Sequence, residues 1–199
     1  MSHFDTWGFV FGDSHGLFGI LPSIAVLAAR RLTEQTASQE SSEMYHALHI
    51  QIAEWKPPES KAPDRKLQFQ RETALNLCRE ATFLYLETAM VPDASSDTQT
   101  LAKIQAYLDN IIMYAEQAAG SPYETIFLGP LIIAGSCMVR PDQRQLLQAG
   151  LRSNRFHMHH CLQAASLLEH LWNDPSGRLF GPYGLAITMR RHGMNLGIA

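Results

Sequence analysis

The sequence predicts an all-α fold, a single domain over residues 1–199 made of about seven or eight packed amphipathic helices. Three observations predict it. Apolar residues recur at i, i+3 and i+4 along most of the chain, the spacing that gathers them on one face of an α-helix. Prolines, glycines and polar clusters fall where each run stops. No set of alternating segments offers the partners that a sheet needs. With 199 residues, 46% of them hydrophobic, the chain is long enough to bury one substantial core.

The elements follow in order. Leu17, Leu21, Ile24, Leu27 and Ala28 share a face, with Ser14 placed to cap the start. Pro22 interrupts this run, either kinking the helix or starting a fresh one at its first turn. Met44, Leu48, Ile52 and Trp55 form a second stripe, stopped by Pro57 and Pro58. A polar connector with Pro63 and Asp64 precedes a long helix that ends at Pro92 and turns Leu67, Ala74, Leu75, Cys78, Thr82 and Tyr85 inward. Asp97 caps the next helix, whose stripe is Leu101, Ile104, Leu108, Ile111, Ile112, Ala115 and Ala119, stopped by Gly120 and Pro122. Residues 123–138 are apolar nearly all round, so periodicity does not separate helix from strand; length and the absence of a strand partner favour helix. Pro141 suits a first helical turn leading to Leu146, Leu147 and Leu151. The last long helix carries Met158, Cys161, Leu162, Ala165, Leu168 and Trp172 inward. Residues 173–184 are rich in turn formers, and 185–196 add a short terminal helix.

Composition narrows the function. The net charge is −3, and the 16 basic residues are scattered. Arg190-Arg191 is too small a pair to track a phosphate backbone, so direct nucleic-acid contact by this chain is not expected. Cys78, Cys137 and Cys161 lie far apart within apolar runs, which fits small buried hydrophobes in a reducing compartment better than disulfides or a metal knuckle. Residues 17–29 lack the basic flank of a signal peptide, and the apolar run 126–139 is shorter than a membrane span. Both read as buried helices.

Two constellations resemble chemistry. Gly12-Asp13-Ser14-His15-Gly16 fits G-x-S-x-G, the nucleophile elbow of hydrolases. That elbow needs a parallel sheet beneath the serine and an earlier strand and loop to complete its oxyanion hole. Too few residues precede Ser14, and no strand–helix alternation follows. A glycine-rich entry turn with Ser14 as a cap is the simpler reading. In His157-Met158-His159-His160, His157 and His160 are three apart with no accompanying Cys or carboxylate set, and Arg155 stands nearby. The expectation is a wet helical face and not a zinc site. Trp55 and Trp172 each close a stripe and read as core or interface anchors. No catalytic, cofactor, metal or DNA-binding residue is assigned, and the ligand-binding residues are unknown.

Several segments, in order, resemble the C-terminal regulatory region of fungal transcription factors of the binuclear zinc-cluster type. Gly129-Pro130-Leu131-Ile132-Ile133-Ala134-Gly135-Ser136-Cys137 is similar to that family's W-P-L-F-I-A-G-C-E-A helix and is followed, as there, by an acid-and-arginine turn at 142–144. Gly12-Asp13-Ser14 with Leu17 resembles its G-x-S-x-x-L opening. Leu48 with Trp55-Lys56-Pro57-Pro58 resembles its L…W-x-P-P helix end. Residues 81–86 and 167–172 are similar to its A-x-x-x-Y-L and L-L-x-x-x-W helices, and 189–196 to its final M-x-x-x-G segment. Gly129 and Tyr183 stand where the family commonly has tryptophan, a departure that would loosen the core or open a pocket.

The resemblance implies a nuclear regulatory domain that binds a small-molecule effector or the transcription machinery, as a homo- or heterodimer in one version. It implies no cofactor in this chain, because the family's zinc sits in an N-terminal cluster of six closely spaced cysteines and only three dispersed ones occur here. A free-standing helical protein that sequesters a ligand or dimerises with an intact factor is the alternative.

Overall fold

A computed structural model describes residues 14–59, 64–91, 97–153 and 160–194. Among them lie eight α-helices and no strand: α1 (Leu21–Arg31), α2 (Gln39–Glu54), α3 (Arg65–Met90), α4 (Thr98–Gln117), α5 (Leu128–Cys137), α6 (Pro141–Arg152), α7 (His160–Trp172) and α8 (Gly181–His192). A helical turn over 14–18 leads into α1, and a 3-10 turn, Glu124–Ile126, leads into α5.

Local chemistry sets most of the boundaries. Ser38, Asp64 and Asp97 each accept a hydrogen bond from the backbone N–H three residues on, at 3.2, 2.7 and 3.0 Å, and so open α2, α3 and α4. Pro22, Pro141 and Pro182 occupy first turns, where a missing N–H costs nothing. Pro22 therefore begins a fresh helix and does not kink an older one. Gly193 ends α8 in the left-handed conformation at φ +60°, and Met194 N–H closes back on Met189 O at 3.0 Å.

α3 is the axis of the fold. α1, α2, α4, α5 and α8 all pack on it, and its buried residues (Leu75, Leu77, Cys78, Ala81, Leu84, Leu86 and Ala89 among them) point in every direction. The one-sided stripe expected for this helix is thus too narrow. Ala74, Ala81, Thr82 and Ala89 are small enough to let neighbours approach on faces that a stripe pattern leaves to solvent.

α5 is the second buried helix, touching α3, α4, α6, α7 and α8. Its all-round apolar character resolves as helix, as length argued. Gly135 makes the close approach possible: a Cβ there would lie 2.6 Å from Leu147 Cδ2 and 2.7 Å from Leu168 Cδ1. Phe127, fully buried just before α5, anchors its entry.

Five further expectations are corrected. Leu162 faces solvent at 58% exposure, because α7 buries Cys161, Ala164, Ala165, Leu167, Leu168 and Leu171, a face one position away. Ala119 is exposed, and Ala118, seven residues after Ile111, continues the α4 stripe in its place. Leu147 and Leu151 are buried, but Leu146 is 54% exposed. The terminal helix starts at Gly181, within the supposed turn region, because Phe180 is extended and Pro182 sits in the first turn. Residues 17–29 are amphipathic and not wholly buried: Leu17, Ile20, Ile24 and Leu27 are inside, while Val26 is about half exposed.

Candidate functional site

α4 and α6 both rest on α5 and diverge above it, leaving an open cleft. Met138 and Arg140 are extended, so the chain leaves α5 straight and Pro141 restarts it as α6 at a distance from α4. Asp109, Ile112, Met113 and Glu116 form one wall, and Arg140, Asp142, Gln143 and Leu146 the other, around a volume of about 330 Å³. A deeper recess of about 80 Å³ continues between Ala115, Leu131, Met138, Leu147 and Gly150. The floor is apolar and the rim polar.

Gln143 is the centre of the cleft's chemistry. Its Nε2 donates to Asp109 Oδ1 at 3.1 Å, and Gln105 Nε2 donates to the same oxygen at 2.7 Å. Asp109 therefore fixes which way the Gln143 amide faces. The remaining atom, Gln143 Oε1, is buried with no hydrogen-bond partner. Such an orphaned acceptor costs about 1–3 kcal/mol, recoverable by any donor that reaches it. At the mouth, the Arg140 guanidinium grips Asp142 through Nε at 3.2 Å and Nη2 at 2.5 Å. That partner holds the Asp142 carboxyl below the usual carboxylate range and raises Arg140. These two charges cancel locally, so the cleft's net character comes from Asp109 and Glu116.

A second polar cluster lies where α2, α3 and α4 meet. Buried Glu87 accepts from Tyr45 Oη and from Lys103 Nζ, both at 2.7 Å. The Phe83 and Tyr107 rings stack nearby, with centroids 5.9 Å apart. Burial first, then Glu87, raises the Tyr45 phenol, and burial pushes Tyr107 up to about 12. The groups satisfy one another, so the cluster works as an internal tie between helices.

The residues singled out from sequence are dispersed. Ser14 is fully buried at the start of the 14–18 turn; Gly12 and Asp13 lie outside the described residues, as do His157, Met158 and His159. His160 is exposed, its Nδ1 3.2 Å from Gln163 Oε1. Among the described residues no three His, Cys, Asp or Glu side chains are grouped to hold a metal, and no helix is long and apolar enough to cross a membrane. Cys78, Cys137 and Cys161 are buried in the core outside any disulfide, and burial pushes Cys78 and Cys137 up to about 12.

The anchors behave as expected. Trp55 lies against Gly16, where a Cβ would meet its Nε1 at 2.9 Å, so the W-x-P-P and G-x-S-x-x-L segments pack on each other. Trp172 Nε1 donates to Gly135 O at 2.9 Å, and the Arg144 guanidinium sits 5.3 Å over the same ring. Arg144 Nε also donates to Met138 O at 2.7 Å, so the acid-and-arginine segment ties α6 to the ends of α5 and α7. Tyr183 is about half exposed on α8, so the residue at that position does not fill the core. The cleft residues went unassigned. Their one signal in the sequence is the Leu146-Leu147 doublet, since an amphipathic helix buries only one of two adjacent leucines at its edge.

Together these features define an all-α domain with an apolar, acid-rimmed cleft on its surface. The sequence profile described as the fungal specific transcription factor domain matches residues 1–186, and the chain belongs to that family. Membership gives it a transcription-factor-related role, in a family that is not one of enzymes. No curated protein and no solved structure matches the chain.

Proposed function

We propose that the chain is the regulatory region of a zinc-cluster transcription factor, acting in the nucleus on transcription by RNA polymerase II through a bound effector or partner protein. In this reading the DNA-reading module is not part of the chain. The family match across residues 1–186 carries the proposal. The α4–α6 cleft supports it with an accessible surface outside the core. Regulation follows if a bound molecule prefers one arrangement of the factor over another; equal affinity for both would shift nothing. The test tethers the 199-residue chain to an unrelated DNA-binding domain upstream of a reporter gene. Output is expected to change severalfold against the DNA-binding domain alone, while the untethered chain fails to retard duplex DNA at physiological salt. An unchanged reporter overturns the proposal.

A further inference from the structure

We propose that the α4–α6 cleft docks a basic amphipathic helix of a partner protein, about two turns of it in contact. This rests on the regulatory reading, and names the surface and partner chemistry through which that regulation runs.

Three observations select the occupant. The first is shape. Asp109 to Glu116 on α4 and Asp142 to Gly150 on α6 are walls about 10–12 Å long at 1.5 Å per residue, which matches two helical turns of about 5.4 Å each. The cleft is open above, with Met113 and Leu146 40% and 54% exposed on opposite walls. An apolar stripe at i, i+3, i+4 and i+7 fits between such walls.

Charge is the second. Arg140 is neutralised by Asp142, leaving the Asp109 and Glu116 carboxylates to face the occupant. Lys or Arg beside the stripe complements them.

The third is the unpaired Gln143 Oε1 on a residue that lines both parts of the cleft and is 94% buried, since its relative exposure is 6%. A carbonyl oxygen only accepts, so once docking turns the Gln143 amide toward the cleft the occupant meets it with an N–H or O–H donor.

The test uses the full chain and two synthetic three-turn peptides with the same leucine stripe, one flanked by Lys and one by Glu, read by fluorescence anisotropy. The Lys peptide is expected to bind at least about tenfold tighter than the Glu peptide, a difference of about 1.4 kcal/mol. Leu146→Asp is expected to weaken the Lys peptide by a similar factor, and Glu116→Lys to reverse the preference between peptides. Both substitutions are on the surface, and circular dichroism verifies that each variant is folded. No binding of either peptide, or binding indifferent to both substitutions, overturns the proposal. The tethered reporter reads the regulatory reading separately. A responsive reporter with no peptide binding removes the docking site alone, and peptide binding with a silent reporter removes the regulatory role alone.

Discussion

Replacing Gly184 with alanine sets two effects against each other. Gly184 lies inside α8, its N–H bonded to Phe180 O at 3.1 Å and its carbonyl accepting the Thr188 hydroxyl at 2.8 Å. Alanine in a helix interior gains about 0.5–1 kcal/mol over glycine. The new Cβ, however, would stand 2.9 Å from the Leu179 carbonyl carbon and 3.0 Å from Leu171 Cδ1. The first is backbone and does not rotate aside, so the overlap costs about 1–3 kcal/mol. The expected net is a loss of about 1 kcal/mol, with an upper bound near 2.5. Gly150 in α6 provides the control, because a Cβ there meets nothing within 4 Å. Gly150→Ala is expected to gain about 0.5–1 kcal/mol. For a chain of this size each kcal/mol moves Tm by about 2–4 °C, so the variants should fall on opposite sides of the wild type by a few degrees. Thermal and urea unfolding followed by far-UV circular dichroism measure this, with an unchanged urea slope confirming that stability alone has moved. A Gly184→Ala midpoint at or above the wild-type value would refute the close approach of α8 to Leu179.

Two further predictions concern acid stability and the α7 face. Glu34 accepts from the Ser38 hydroxyl at 2.7 Å, Arg31 Nη1 at 2.8 Å and the Ser41 hydroxyl at 2.9 Å, and these bonds, Ser38 first, hold its carboxyl down to about 2. A depressed folded-state value means the contribution is complete above the usual carboxylate range near 4.5 and fades as pH falls toward 2. The Tm advantage of wild type over Glu34→Gln should therefore be constant near neutrality and shrink between those limits; an advantage unchanged by acid counts against the network. Leu168→Ala, at a fully buried position against Gly135, should cost about 2–5 kcal/mol in urea unfolding. Leu162→Ala, at 58% exposure, should stay within about 0.5 kcal/mol, and equal losses at the two sites would reverse the assigned face of α7.

What the sequence made legible was mostly local. Asp97, Pro141 and the Ile104, Leu108, Ile111 stripe announce their helices because caps, first turns and amphipathic faces act over a few residues. The α3 environment was illegible for the opposite reason. Whether Leu77, Leu84 and Leu86 are inside depends on five other helices arriving around them, which no window of α3 encodes. Leu162 and Leu146 went astray by one position, because an adjacent apolar pair at a stripe edge does not say which member turns inward. The cleft was hidden for a further reason. It exists between α4 and α6, whose separation follows from the extended link at Met138–Arg140 and from α5 beneath, not from any motif in either wall.

The position of α8 bears on how the molecule comes into being. Gly181 lies against Thr88 and Cys137, Leu185 is buried, and the helix packs on α3, α5 and α7 together. Synthesis runs from the N-terminus, so the greasy flank of α5 stays unshielded until the residues of α8 have left the ribosome. A nascent chain stalled ahead of Gly181 would present that flank to chaperones and proteases, which makes synthesis of α8 a condition for survival of the domain.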